Sequence, residues 1–336
     1  MASVTSSEKK GFLRLSFLDE SIRVVALALV VVIVFGAVTT PGFMDIGNLS
    51  VVQKLSAAFG IVAVGQAIVI LGKGIDLSVG AVAAFTPPIV LQFMENGSSE
   101  RTAILLAIVL VVLFGLLNGL LVAFVEVPAL FVTLATGLLY LGGAKVLLLE
   151  SNLFSLPDGA AIERLATGDV LGISVSLVVA ALVFIAAWLF LTFTAPGRLI
   201  RAMGDNYETA RVSGAPVRPL QVSSYVISAL LAALAGFILV ARDGAVSTVG
   251  SAFTPLLFVA LTVVIIGGVS LSGGRGTILG VLLGAEFIGL VTNLLTLNDL
   301  SPATQDLVRG LVLMLAVAAD AWLHPRDEET AKSQDL

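Results

Sequence analysis

The sequence predicts an all-α membrane protein, a polytopic bundle of about ten transmembrane helices with both termini cytoplasmic, and three observations carry that prediction. Of 336 residues, 58% are hydrophobic and only 12% charged. A soluble domain carries about 25% charged residues, so this chain has too little polar surface to coat a water-soluble body of its size. Apolar runs of roughly 20 residues, the length that crosses a hydrocarbon core of about 30 Å, recur between glycine, proline and charged breaks. Lys and Arg are sorted between alternate connections, as expected when positive charge stays on the cytoplasmic side.

The first run, residues 22–39, follows Lys9, Lys10, Arg14 and Arg23 without a small-residue cleavage site. It is expected to remain as a span rather than leave as a secretory signal. Runs at 51–71, 77–93, 102–125 and 130–149 complete a first set, and runs at 171–193, 220–240, 256–271, 277–297 and 304–323 form a second. Pro87-Pro88 interrupt the run at 77–93 and Gly267-Gly268 cut short the one at 256–271, so these two are the candidates for broken or re-entrant segments. With the N-terminus inside, Lys9, Lys10, Arg14, Arg23, Lys73, Arg198, Arg201, Arg211, Arg218, Arg275, Arg326 and Lys332 fall on the cytoplasmic side, and only Arg101, Arg164 and Arg242 fall outside. Residues 1–17 and 324–336 read as cytoplasmic tails around a single membrane domain, 18–323. Two connections are long: an acidic outer one with Glu150, Asp158, Glu163 and Asp169, and a basic inner one, 194–219, with Arg198, Arg201, Arg211 and Arg218.

Composition also excludes chemistry. Cys is absent, which removes disulfides, thiol catalysis and Cys-ligated metals, and the single His324 cannot supply a multi-histidine centre. A net charge of −5 argues against a nucleic-acid partner. Leu271-Ser272-Gly273-Gly274-Arg275 superficially matches the signature loop of an ABC ATPase, yet no G-x-x-x-x-G-K-[ST] phosphate loop accompanies it and apolar runs flank it on both sides. A tight cytoplasmic turn accounts for its glycines. No nucleophile, metal set or acid–base constellation suggests a catalytic site, and no cofactor is expected on this chain.

Two groups of residues remain as functional candidates. In the inner loop, Asn206 is placed to cap a short helix with Glu208 in its first turn and Gly214 ending it in a left-handed conformation. Within the spans, ionisable residues are costly and mark function by default. Of Lys54, Asp76, Lys145, Asp306 and Arg309, the first four lie near span ends, where snorkelling is the ordinary explanation, and Asp306 and Arg309 are spaced to pair on one helix face. Gln66, Asn118 and Asn293 lie deeper and are the candidates for a polar path, with interhelical hydrogen bonding as the competing role. A faint echo links Gly74-Ile75-Asp76-Leu77-Ser78-Val79-Gly80 to Gly268-Val269-Ser270-Leu271-Ser272-Gly273-Gly274, both at inner turns. Repeats of this kind are common in transporter folds.

The same segment, Gly74 to Gly80, together with Gly197-Arg198, the set Gly204, Asn206, Glu208, Ala210 and Gly214, the run from Ile266 to Gly276, and Asn293 to Leu297 with Gln305, resembles the permease subunits of ribose-type bacterial ABC importers. These segments stand in the family's order across nearly the whole membrane portion. The resemblance implies that Gly204, Asn206, Glu208, Thr209, Ala210 and Gly214 form the E-A-A-x-x-x-G coupling segment that docks on a cytoplasmic ABC ATPase subunit. Thr209 stands where the family often has Ala, and no I-x-L-P follows. It further implies a bacterial inner-membrane permease passing a monosaccharide or related polyol delivered by a periplasmic binding protein. A second permease chain, identical or paralogous, would complete the path within membrane lipid, and ATP and Mg would be used on the ATPase. The alternatives are an ion-coupled secondary transporter, which would need essential intramembrane carboxylates, and an ABC permease for branched-chain amino acids.

Overall fold

The structure, a computed structural model, describes residues 20–148, 150–248 and 253–323; both expected tails, with His324, Lys9, Lys10, Arg14, Arg326 and Lys332, lie outside the described residues. The elements follow in chain order as α1 (Glu20–Thr39), α2 (Ile46–Leu71), α3 (Val79–Glu95), α4 (Glu100–Ala123) and α5 (Ala129–Gly143), the last prolonged by a π turn at Ala144–Leu148. Next come β1 (Leu153–Ser155), α6 (Arg164–Thr167), β2 (Asp169–Val170), β3 (Ile173–Ser174) and α7 (Val175–Phe193). The remainder is α8 (Ala195–Asp205), α9 (Tyr207–Val212), α10 (Val217–Asp243), β4 (Ala245–Ser247), α11 (Phe253–Ile266), α12 (Ile278–Leu297) and α13 (Pro302–Leu323). Among the described residues eight helices are long and apolar enough to cross a membrane, and α3 and α11 are shorter apolar helices. These ten elements coincide with the ten apolar runs.

The two segments expected to be irregular resolve differently. The helix at α11 stops at Ile266, before Gly267-Gly268. In contrast, α3 runs unbroken through Pro87 and Pro88. Proline withholds the amides that would satisfy the carbonyls of Ala83 and Ala84. Part of that loss is met from α10, where Gly236 lies so close that a Cβ there would sit 2.1 Å from the Ala83 oxygen. A Cα–H contact of this kind partly replaces the missing bond. One turn earlier, the Thr86 hydroxyl donates to the Val82 carbonyl at 2.6 Å.

Packing is organised around α2, which is buried along almost its whole length by α10, α12, α11 and α7. Small residues set the close approaches, the usual means of helix association where lipid removes the hydrophobic driving force. Gly115 and Gly119 of α4 press on α10, where added Cβ atoms would lie 2.7 Å from the Val226 Cα and 2.6 Å from the Val222 Cα. The helices α1, α4, α5, α7 and α13 present Leu, Val and Phe side chains outward, as a lipid-facing surface requires.

The two ends of the bundle are distinct. At the outer end β1 pairs antiparallel with β4, Leu153 opposite Ser247, and a two-residue hairpin joins β2 to β3. Ser99 caps α4, and the adjacent Glu100 carboxylate accepts from the Ala161 and Ile162 amides at 2.8 and 2.9 Å, tying the long acidic connection down. At the inner end, Arg218 pairs with Glu126 at 2.7 Å and lies over the Phe124 ring.

Candidate functional site

The inner loop is two helices rather than one. Thr194 caps α8 by accepting from the Gly197 amide at 3.2 Å, with Pro196 in the first turn where its missing N–H costs nothing. At the far end of α8, Gly204 packs so tightly that a Cβ would meet the Leu71 carbonyl oxygen at 1.9 Å and the Gly274 amide nitrogen at 2.5 Å. That amide itself donates to the Leu71 carbonyl at 3.0 Å, and Arg201 Nη1 donates to the Gly276 carbonyl at 2.7 Å. The glycine-rich turn 267–277 is therefore bolted to both α8 and the inner end of α2. Burial draws the Arg201 guanidinium below its ordinary range, and the neighbouring Asp205 opposes that shift. The guanidinium remains a cation.

Asn206 then caps α9, its Oδ1 accepting from the Thr209 amide at 2.9 Å. Glu208 pairs with Arg211 at 2.7 Å on the exposed face, Ala210 packs beneath against Met203 and Val217, and Gly214 takes a φ of +84°. Between α8 and α9 runs a surface groove of about 480 Å³ lined by Asn206, Thr209, Ala210, Gly214, Leu199 and Ala202, among others. Glu208 and Gly204 lie outside the groove lining. Val212, which sequence reasoning did not single out, is an apolar side chain 83% exposed on this short helix.

The three polar path candidates go to three different places. Asn118 belongs to a buried cluster that ties the start of α3 to its neighbours. Its amide donates to the Ser78 hydroxyl at 2.9 Å while its oxygen accepts from Thr136. Ser78 in turn hydrogen-bonds Asp76, which also accepts from the Ser78 amide at 3.0 Å and the Ser228 hydroxyl at 2.8 Å. The Asp76 carboxylate is fully enclosed by these partners. Gln66, in the inner third of α2, is buried with neither amide atom partnered among the described residues. Asn293 forms a reciprocal amide pair with Asn48, at 2.9 and 2.7 Å.

Only Asn293 of the three lines the outer cavity, a space of about 800 Å³ bounded by α2, α3, α10, β4, α11, α12 and α13. The cavity reaches Phe59, roughly 20 Å below the outer end of α2 at 1.5 Å per residue. Its upper wall carries Arg242, Asp243, Gln305 and Arg309, and its lower wall Leu55, Phe59 and Val259. The expected pair forms, Arg309 Nη1 lying 3.0 Å from Asp306. Sequence reasoning missed Thr292, Asn48 and Glu286, a half-buried carboxyl midway along α12. The signal for Glu286 was available, since it is the one acidic residue inside the run 277–297.

Comparison with known proteins bears on this arrangement. Residues 48–317 match the family described as branched-chain amino acid transport system / permease component. The chain is 35% identical to the ribose import permease protein of Haemophilus influenzae over 301 residues, covering 88% of this chain and 92% of that protein. It is 32% identical to the fructose import permease protein of Rhizobium meliloti, covering 91% and 87% respectively. It is also 32% identical to the autoinducer 2 import system permease protein of Escherichia coli, covering 95% and 93%. No solved structure matches the chain.

Proposed function

Because the chain belongs to the family described as branched-chain amino acid transport system / permease component, we propose that it is the membrane-spanning subunit of an ATP-driven ABC importer of the bacterial inner membrane. It is a multi-pass transporter component and not an enzyme in its own right. The observation that carries the solute reading is the near end-to-end similarity to permeases named for ribose and fructose import. A monosaccharide or related polyol is the class that those names support.

In this reading residues 18–323 are one permease unit, and the loop 194–219 docks on a cytoplasmic ABC ATPase. Asn206, Thr209, Ala210 and Gly214 form the groove side of the contact, Glu208 its charged face and Gly204 the close packing point that joins the loop to the inner end of α2. The ATPase binds ATP and Mg, a periplasmic binding protein delivers the solute, and a second permease chain completes the assembly in the lipid. Nucleotide and solute then bias two packings of the bundle, one open to each side.

The test is a gentle detergent pull-down of the tagged chain from its native cells with mass spectrometry of what accompanies it. Recovery of an ATPase with paired nucleotide sites supports the reading. Purification without an ATPase, together with ion-driven solute movement in reconstituted vesicles, overturns it in favour of a secondary transporter.

A further inference from the structure

The hairpin β2–β3 takes no part in the bundle core or the inner loop, and its side chains are sorted by face. Asp169 pairs with Ser174 and Val170 with Ile173, so the two apolar residues share one face and the two polar residues the other. Val170 and Ile173 are each 47% exposed, and Leu171, at the tip, is 98% exposed. The turn is Leu171-Gly172, with φ of +55° and +83°, and the Gly172 amide donates to the Asp169 carboxylate at 2.7 Å. Positive φ at both central positions belongs to a type I′ turn, for which Asn-Gly is the ordinary sequence. A leucine in that left-handed conformation brings its Cβ close to the following carbonyl, and water offers its side chain no compensation. Three apolar side chains therefore sit together at the free end of a hairpin, with nothing in the chain to cover them.

The position of the hairpin identifies what does. Its base is closed by the Val175 amide donating to the Gly168 carbonyl at 3.0 Å, and it packs against α6 and α7, neither of which lines the outer cavity. Directly after it α7 begins, with Leu182, Ile185, Leu189 and Phe193 exposed on the surface it presents to lipid. The 19 residues of α7 cover about 28 Å at 1.5 Å per residue, close to the whole hydrocarbon thickness of about 30 Å. The inner end of α7 is marked by Trp188 against Phe193, ring centroids 5.2 Å apart, and by Arg198 Nη1 donating to the Phe193 carbonyl at 3.0 Å. Aromatic and basic groups of this kind sit at headgroup level. Val175 thus stands at the outer edge of the hydrocarbon, and strands this short carry the tip no more than about 10 Å from it. Amphipathic segments bury their apolar faces in that zone, about 5–10 Å into the boundary between headgroups and acyl chains.

We propose that the β2–β3 hairpin is a lipid anchor, with Val170, Leu171 and Ile173 inserted among the headgroups and upper acyl chains of the outer leaflet. Its apolar face extends the lipid-facing surface of α7. The anchor holds the outer end of α7, whose inner end passes through Thr194 into α8 and the inner loop. Movement of that loop then tilts α7 about a held outer end instead of sliding it along the membrane normal. The inference requires only that the chain spans a membrane, and it stands apart from the solute and the ATPase.

The absence of native cysteine allows the tip to be labelled alone. Leu171→Cys and, as an aqueous reference on the same connection, Asp158→Cys are each labelled with bimane in the purified full chain and reconstituted in vesicles of phosphatidylethanolamine and phosphatidylglycerol. Lipid carrying a nitroxide near its headgroup is expected to quench the label at 171 about twofold or more, and lipid with the nitroxide at the chain end to quench it less. Aqueous iodide is expected to quench the label at 158 and to spare the one at 171. Equal iodide quenching at the two positions, without quenching by the lipid nitroxide, overturns the anchor. Shielding at 171 that appears only when periplasmic proteins are added overturns it in favour of a protein contact. A second measurement leaves the tip unlabelled: with bimane at Ile173→Cys, adding Leu171→Asn keeps a residue suited to the turn and is expected to raise iodide quenching about twofold or more through loss of the buried leucine. Unchanged quenching overturns the role of Leu171.

Discussion

Asp76 shows how an acidic side chain is accommodated in a fully buried turn between α2 and α3. Its two oxygens accept from the Ser78 amide, the Ser78 hydroxyl and the Ser228 hydroxyl, so the side chain's acceptors are met by the chain itself. Asp76→Ala would leave those donors facing apolar packing at about 1–3 kcal/mol for each orphan. We expect a clear fall in the thermal midpoint of the detergent-purified protein, with Asp76→Asn falling less because the amide oxygen still accepts. Glu208 carries the opposite expectation, being exposed and paired only within its own helix. Glu208→Arg should insert and accumulate normally yet lose ATP-driven uptake, which parallel membrane blots and uptake measurements would check; normal uptake would contradict the docking role. At this scale legibility follows sequence distance. The Asn206 cap and the positive φ of Gly214 were readable because their partners lie within a few residues. The partners of Asn118 and Asn293 were not, because Ser78 and Asn48 reach them only through the tertiary packing of separate helices.

Among the elements, the α4–α10 contact is one that depends on small residues. A side chain at Gly119 has no free volume against the Val222 Cα, so Gly119→Leu must separate the helices. Greatly reduced accumulation of folded protein is expected, with Gly119→Ala intermediate, read by fluorescence-detected gel filtration of detergent extracts. A different coupling is built into the inner turn, where Arg201 joins α8 to the backbone of the segment linking α11 and α12. Both of those helices wall the outer cavity. Arg201→Ala is therefore expected to retain most ATP hydrolysis in the reconstituted complex while losing most of the solute uptake that hydrolysis normally drives. Sequence patterning found the existence of these elements but misjudged α3, because the rule that prolines break helices takes no account of a neighbouring glycine approaching the freed carbonyl. It found α9 from its Asn206 cap but left the preceding segment, α8, without a helix.

For the molecule as a whole, the number and order of apolar helices were legible because bilayer thickness imposes one length on every span. The cavity was not, since it is assembled from six helices that are distant in sequence. The charge-based orientation places the β1–β4 pair outside, and a cysteine-free chain makes that testable. Leu153→Cys combined with Ser247→Cys puts two thiols at paired positions, within the Cα separation that a disulfide spans. A membrane-impermeant oxidant added to intact cells should close the bridge; closure only after permeabilisation would reverse the topology. The central position of α2 has a consequence of another kind, in the timing of biosynthesis. This helix is made second, yet the helices that enclose it, α7, α10, α11 and α12, lie far downstream. At about 5–20 residues per second, a ribosome leaves α2 without its permanent neighbours for on the order of tens of seconds. During that interval its Gln66 and Ser56 face lipid or a chaperone, so chains truncated before α12 should be cleared by membrane proteases rather than persist as stable halves.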